Sequence, residues 1–341
     1  MDKIRPEKLT LKKLAVLAGV SHKTISRVIN DEAYVKEETR KNVLEIIEKY
    51  NYQPNFFAKV LRTKQSKTIG LVLGDINNPF YSSLADGVTK VCKDEGYDVI
   101  VTNTAYATDI GDRYIKVLLG KGVDGLIITT INLYEEALRE IRINIPFILV
   151  SWKSDFKNIN YVTADDYNGG VLAAEYLTDL GHKDIYFLKI ADVFSAGERV
   201  RAFKDVMNKC KINFNEQDIS KPLINENGSY EEVKKVLESS NKYTAFIAGN
   251  DYLAIGAMRA IFEKGLRIPE DISLIGYDNI PISSLLSVPL TTIDQPKYEL
   301  GEIGAKRLIE MLKDPLDIAK PMEKVLPTKL IIRESCKKIN S

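Results

Sequence analysis

The chain is 341 residues long, 45% apolar and 28% charged, enough for roughly two or more globular units and too apolar for a disordered protein. No apolar stretch approaches the ~18 residues that span a bilayer, and the N-terminus, with Lys3, Arg5 and Lys8, lacks the apolar core of a secretory signal, so a cytoplasmic protein is expected. The scattered cysteines Cys92, Cys210 and Cys336 and the histidines His22 and His182 show no ligand spacing, so neither structural zinc nor another cofactor is expected.

The net charge of +1 hides an asymmetry. Residues 1–67 carry 15 Lys+Arg against 8 Asp+Glu, a net +7, while the rest carries 33 against 39, a net −6. A small basic module joined to a large acidic body suggests a polyanion-binding head. Its first elements are written in TLKKLAVLAGVSHKTISRVIN, from Thr10 to Asn30. Leu11, Leu14, Ala15 and Ala18 recur at helical spacing behind Thr10, a suitable N-cap, and predict a helix ending near Leu17. Gly19 permits a tight turn, Val20 can plug the angle between two helices, and Ser21 can cap a second helix whose inward face is Ile25, Val28 and Ile29. That helix shows His22, Lys23, Thr24, Ser26 and Arg27 on its outer face and first turn, donors with almost no acid among them.

A major groove admits one α-helix, whose N-terminal side chains reach base edges while hydroxyls and cations hold phosphates. His22 and Lys23 are therefore the expected base readers, and Thr10, Ser26, Arg27 and Asn30 the expected phosphate contacts. A third helix is predicted from about residue 37 to 50, with Val43, Leu44, Ile46 and Ile47 closing a small core. In the segment that follows, Pro54 can start a short helix in which Phe57, Ala58 and Leu61 have no local core. Two readings stand side by side there: a linker helix packed on the body, or a helix ordered with its mate on DNA that pushes Leu61 between base steps of the minor groove.

From Lys67 onward short apolar runs alternate with amphipathic stretches: TIGLVLG, a helix near residues 81–95, YDVIVTN, a helix to Leu119, DGLIITT, another helix, and PFILVSW. The pattern restarts after Asp165 with a helix to Leu180, DIYFLKI, a helix near Arg199, TAFIAGN, a helix to Lys264, and DISLIGYD. Continuous apolar runs suit strands buried on both faces, and the alternation implies two doubly wound parallel sheets. Ligands in such sheets bind beyond the carboxyl ends of the strands, which points to Asp75, Asn77, Trp152, Lys189, Arg199, Asn250, Asp251 and Asp278. Aromatic faces beside amide, carboxylate and guanidinium groups suit a small polar molecule such as a sugar. Taken singly, each of these residues also fits a turn cap, a core side chain or a surface charge. No phosphate loop, GxGxxG after the first strand or GxSxG elbow appears, and His182 is the body's only histidine, so an enzyme is not expected.

Head, linker and body, from about Leu9 to Cys336, resemble the lactose-repressor (LacI/GalR) family of bacterial transcription regulators through AVLAGVSHKTISRVIN, EETRKNVLEIIEKYNYQPN, AKVLRTKQSKTIGLVLGDINNPFY, KGVDGLIIT, YLTDLGHKDI, AGNDYLAIGAMRAI, GLRIPEDISLIGYDNIP and LTTIDQP. The resemblance implies a helix-turn-helix head (1–53), a hinge helix and linker (54–66), and a periplasmic-binding-protein-like body of two parallel-sheet subdomains, N (67–163 and 294–323) and C (164–293 and 324–341). It adds Ser21, Thr24, Tyr34, Asn55, Ala58 and Leu61 to the DNA-binding set, with Leu61 as the wedge, and Phe80 and Tyr81 to the effector set, where Arg199, Asn250 and Asp278 fall on the usual contact positions. The implied partners are a pseudo-palindromic double-stranded operator, a sugar-like effector and a second copy of the chain.

Lys36 departs from the family where a serine commonly caps the third helix, Phe56 and Phe57 are bulky for the hinge, and Ala202 replaces a frequent glycine. LKIAD replaces a glycine-rich turn and places Lys189 near the cleft mouth, which suggests a sugar acid or sugar phosphate as effector. Against the repressor stand a sugar-binding transport component and an α/β-fold carbohydrate enzyme.

Overall fold

The computed structural model describes residues 10–29, 32–52, 65–129, 141, 145–153, 158–239, 243–314 and 321–339. The helix expected between DGLIITT and PFILVSW, and Asn30, Asn55, Phe57, Ala58 and Leu61, lie outside them. The chain divides into two compact units, Met1–Ser66 and Lys67–Ser341.

In the first unit, helices α1 (Leu11–Leu17), α2 (His22–Ile29) and α3 (Glu37–Lys49) enclose Leu14, Ala15, Ala18, Ile25, Val28 and Val43. Gly19 turns the chain between α1 and α2 at φ +64°, a conformation in which a side chain would crowd the backbone, and the turn closes by Val20 N–H donating to the Ala15 carbonyl at 3.0 Å. Leu44, expected in this core, is 49% exposed. The physical reason is angular: Val43, Ile46 and Ile47 share one stripe of α3, Leu44 lies about 100° round from Val43, and two short partner helices cover only the stripe. The Lys36 side chain makes no hydrogen bond to the start of α3, as a lysine at a serine's capping position would imply.

The second unit is built on two sheets. The first has the order β10-β5-β4-β3-β1-β2, all parallel, from β1 (Thr68–Leu73), β2 (Asp98–Asn103), β3 (Gly125–Thr129), β4 (Phe147–Val150), β5 (Tyr161–Ala164) and β10 (Glu323–Leu326). The second is β11-β9-β8-β7-β6, from β6 (Ile185–Leu188), β7 (Ala245–Ala248), β8 (Ser273–Asp278), β9 (Thr291–Asp294) and β11 (Lys329–Ile331), with β11 antiparallel at its edge. Every residue of β1, β3, β4, β5, β6, β7 and β8 is buried, because helices cover both faces of each sheet. The return crossing differs from the sequence expectation. The ladder from Glu323↔Tyr161 to Leu326↔Ala164 keeps residues 324–326 in the first sheet, so the chain changes lobe after Leu326.

Connecting helices α4 (Pro79–Asp94) and α5 (Thr108–Gly120) belong to the first lobe, and α6 (Asp166–Asp179), α7 (Phe194–Lys209), α8 (Glu226–Glu238) and α9 (Asp251–Glu263) to the second. After β9 the chain re-enters the first lobe as α10 (Lys297–Lys313). A Cβ on Gly87 or Gly301 would lie 2.2 Å or 2.0 Å from a backbone oxygen of the facing helix, so α4 and α10 pack at backbone contact. Among the described residues no helix is long and apolar enough to cross a membrane, and no group of three or more His, Cys, Asp or Glu could hold a metal.

Candidate functional site

Two sets of side chains carry the chemistry, one in each unit. In the first, Thr10 Oγ1 accepts from Lys13 N–H at 3.3 Å and caps α1, while Ser21 Oγ accepts from Thr24 N–H at 3.1 Å and caps α2. The caps fix where each helix starts, and Ile25 and Val28, buried against α1 and α3, fix how α2 is rotated. His22 and Lys23 are thereby exposed in the first turn of α2, with no acid there, and Thr24, Ser26 and Arg27 flank them half-buried. Tyr34 is 96% exposed and sits at φ +72°, in the left-handed region that a bulky residue seldom adopts.

The second set lies between the lobes, beyond the carboxyl ends of both sheets. Asn78, Phe80, Tyr81, Tyr106 and Ser151 line the cleft from the first lobe, Ile190, Val193, Ser195, Arg199, Asn250 and Asp278 from the second, and Gln295 from the crossing. The cavity volume is about 30 Å³, room for a few waters, so a sugar-sized ligand requires the lobes to part.

Arg199 organises the second-lobe side. Its Nε and Nη2 donate to Asp166 Oδ1 at 3.0 and 2.8 Å, and its Nη1 donates to the Gly249 carbonyl at 2.6 Å. The guanidinium stacks 3.6 Å from the Tyr277 ring centroid. Burial opposes its charge, but the Asp166 carboxylate beneath it, with Tyr277 and Asp278, holds it protonated. Burial pushes Asp166 upward against the pull of Arg199, and its Oδ2 has no hydrogen-bond partner. Asn250 caps α9 by accepting from Leu253 N–H at 2.8 Å, which leaves its amide N–H groups as donors at the cleft. Asp278 Oδ1 accepts from Gln295 Nε2 at 2.6 Å, and Gln295 Oε1 is buried without a partner. Burial raises Asp278 to about 6, opposed by Arg199, Lys297 and the Gln295 hydrogen bond. On the first-lobe side the Phe80 and Tyr81 rings meet edge to face at 5.1 Å.

Of the residues expected at the site, Phe80, Tyr81, Arg199, Asn250 and Asp278 line the cleft, whereas Asp75, Asn77, Trp152 and Lys189 do not. Trp152 is buried in the first-lobe core with Ile159 and Tyr161. Lys189 is paired with Asp192. Asp75 accepts from the Asn77 backbone N–H at 3.0 Å and side-chain amide at 3.2 Å, shaping the loop after β1. Ser151 and Ile190, which the sequence did not single out, are the immediate neighbours of Trp152 and Lys189. These positions lie just past the strand ends, where Ser151 turns at φ +60° and strand alternation no longer sets direction, so a shift of one residue leads from the cleft to the core at Trp152 and to the Asp192 ion pair at Lys189. Gln295 stood in the LTTIDQP motif and Asn78 in GDINNPFY, but Tyr106, Val193 and Ser195 had no comparable sequence signal.

Residues 10–55 match the family described as bacterial regulatory proteins, lacI family, and residues 174–336 match the periplasmic binding protein-like domain. The HTH-type transcriptional repressor PurR of Aliivibrio salmonicida (strain LFI1238) is 34% identical over 308 residues, 89% of this chain and 92% of that protein. A LacI family transcriptional regulator from Enterococcus faecium, solved with bound ribose, is 32% identical with a TM-score of 0.72 over 80% of this chain and all of that one. The lac repressor dimer bound to operator and the anti-inducer ONPF is 29% identical, with a TM-score of 0.82 over 97% of this chain and all of that one.

Proposed function

The chain belongs to the lacI family of bacterial regulatory proteins, and we propose that it represses transcription as a cytoplasmic homodimer on a pseudo-palindromic operator, released when a neutral sugar enters the cleft. It is a DNA-binding regulator and not an enzyme. His22 and Lys23 read base edges in the major groove, and Thr10, Ser21, Thr24, Ser26, Arg27, Asn30 and Tyr34 hold the backbone around them. Ala58 and Leu61 form the hinge contact in the minor groove, with Leu61 as wedge, and Asn55 belongs to the same DNA-binding set. The head ends near residue 53 and the hinge near 66, and the lobes are the two effector-binding subdomains. The effector changes the angle between them and so the spacing of the paired hinges. Coupling of this kind is reciprocal, typically ~1–3 kcal/mol.

A sugar is supported by the cleft's mixture of donors, acceptors and aromatic edges, and by the ribose bound in the Enterococcus faecium regulator. Neutrality rests on one observation: Arg199, the only cation lining the cleft among the described residues, already pairs with Asp166 and faces Asp278. An anionic effector would meet the Asp278 carboxylate with no free positive charge, and Lys189, bound to Asp192, does not supply one. Calorimetric titration against neutral pentoses and hexoses, sugar acids and sugar phosphates tests this. Neutral sugars should bind, and tighter binding of an acid or phosphate than of its parent sugar would refute it. For the head, affinity for an inverted-repeat duplex should fall steeply with salt. Indifference to every inverted repeat selected from random pools at low ionic strength would refute the operator.

A further inference from the structure

The loop after β1 and the first turn of α9 face each other at the cleft, and one hydrogen bond joins them: the Tyr252 hydroxyl donates to the Asn77 carbonyl at 2.8 Å. Tyr252 belongs to the second lobe and Asn77 to the first, 175 residues apart in the chain. Both ends are preorganised. Asp75 Oδ1 holds the Asn77 backbone and side chain, and the Ile76 N–H donates to Asn103 Oδ1 at 3.3 Å, tying the same loop to the end of β2. On the other side Asn250 caps the helix that carries Tyr252. Burial raises the phenol's pKa, with Glu226 and Asp75 adding to it, so the hydroxyl stays protonated and able to donate.

We propose that Tyr252 is a positioning residue of the cleft, a latch whose hydrogen bond to the Asn77 backbone sets how often the lobes part. Asn78 and Asn250, one and two positions from the partners, line the cleft itself. The latch thus sits beside the binding groups without occupying them. Because its acceptor is a main-chain carbonyl, the first-lobe half of the latch depends on the shape of the loop and not on the side chain at position 77. Two aromatic contacts share the interface. Tyr106 packs against core clusters of both lobes, and Phe194 of the second lobe packs against the first-lobe cluster that contains Trp152. These apolar contacts lack direction, whereas the hydroxyl-to-carbonyl bond is lost over a short displacement, so it discriminates parted lobes from joined ones.

The inference takes from the proposed function only that the lobes open and close. Its test uses no effector, so its failure is distinguishable from failure of the sugar reading. Tyr252→Phe keeps the ring and removes the donor. Hydrogen exchange of the full-length, effector-free protein should then accelerate about three- to tenfold, the range for losing one neutral hydrogen bond, in peptides covering residues 78–81 and 193–199 on opposite walls of the cleft. Peptides of β1 and β8 should exchange as in the parent. Unchanged exchange at the cleft overturns the proposal. So does acceleration confined to the first turn of α9, which would make the bond a local brace, or acceleration extending equally into β1 and β8, which would make it a general stabiliser.

Discussion

Removing the Arg199 guanidinium tests the energetics of the cleft directly. Arg199 and Asp166 are 4% and 3% exposed, and three short hydrogen bonds tie the arginine to Asp166 and the Gly249 carbonyl. Arg199→Met keeps the apolar stem and strands the Asp166 carboxylate in the interior, which costs about 3–5 kcal/mol. Asp166→Asn in the same chain removes the stranded charge, so the double variant should be more stable than Arg199→Met alone, and the pair should show a coupling of about 0.5–3 kcal/mol in a double-mutant cycle. The penalty of Arg199→Met should also shrink in acid. Burial already raises Asp166 above 3.8 in the parent against the pull of Arg199. Without that pull its folded-state pKa rises further, so the variant takes up its proton at a higher pH than the parent and regains stability as pH falls through that pKa. Chemical denaturation of the full chain at neutral and mildly acidic pH measures all three quantities. An Arg199→Met cost under about 1 kcal/mol, or strict additivity with Asp166→Asn, would refute a buried pair that depends on both partners.

Lys23→Ala should lower affinity for the selected operator by about 1–3 kcal/mol and relax discrimination at the base it reads, measured by binding to single-position operator variants. Arg27→Ala should weaken binding to all duplexes alike and reduce the log–log salt slope by about one, measured by titration at several salt concentrations. Effector affinity should fall about tenfold between pH 7 and pH 5, because Asp278, with its pKa raised to about 6, accepts a sugar hydroxyl as the carboxylate and loses that form as pH falls through 6; Asp278→Asn should bind more weakly with that step removed, read by calorimetry across the range. Gly19→Ala should destabilise the N-terminal unit by about 1–2 kcal/mol, since alanine resists φ +64°, and should show as faster amide exchange over residues 11–29.

The head was legible in the sequence because its signals are local. The caps at Thr10 and Ser21, the turn at Gly19 and the apolar stripe of Ile25 and Val28 all act within one or two helical turns. Most buried strands were legible for a similar reason, as continuous apolar runs such as TIGLVL and SLIGYD need no alternation, whereas the buried four-residue β5 was not read. The cleft was only half legible. Arg199, Asn250 and Asp278 follow strands at positions a strand-end rule and a family resemblance can find. The rule fixes where a strand ends but not which way the next side chain faces, so it points to Trp152 and Lys189 where Ser151 and Ile190 line the cleft. The Arg199–Asp166 pair, which spans 33 residues, and the Arg307–Asn160 bond, which spans 147, exist only once the lobes are assembled. The short edge strand β10 escaped notice because three of its four residues are exposed and carry no apolar run.

The distribution of these groups between the lobes constrains how a ligand can signal. Arg199, Asn250 and Asp278 belong to the second lobe and are already held by Asp166, Leu253 and Gln295 before any ligand arrives, so their contacts alone would bind parted and joined lobes equally. A ligand with equal affinity for two states shifts neither. The differential contact must therefore come from Asn78, Phe80, Tyr81, Tyr106 and Ser151, which reach the ligand only as the first lobe approaches. Driving such an equilibrium from one extreme to the other requires the ligand to bind one state about 10⁴-fold more tightly, and the Tyr252 latch, which does not touch the ligand, sets the starting balance and supplies none of that ratio. That ratio falls to aromatic and hydroxyl contacts made by the first lobe, so a sugar that fills only the second-lobe half of the cleft would be bound and yet leave operator affinity where it was.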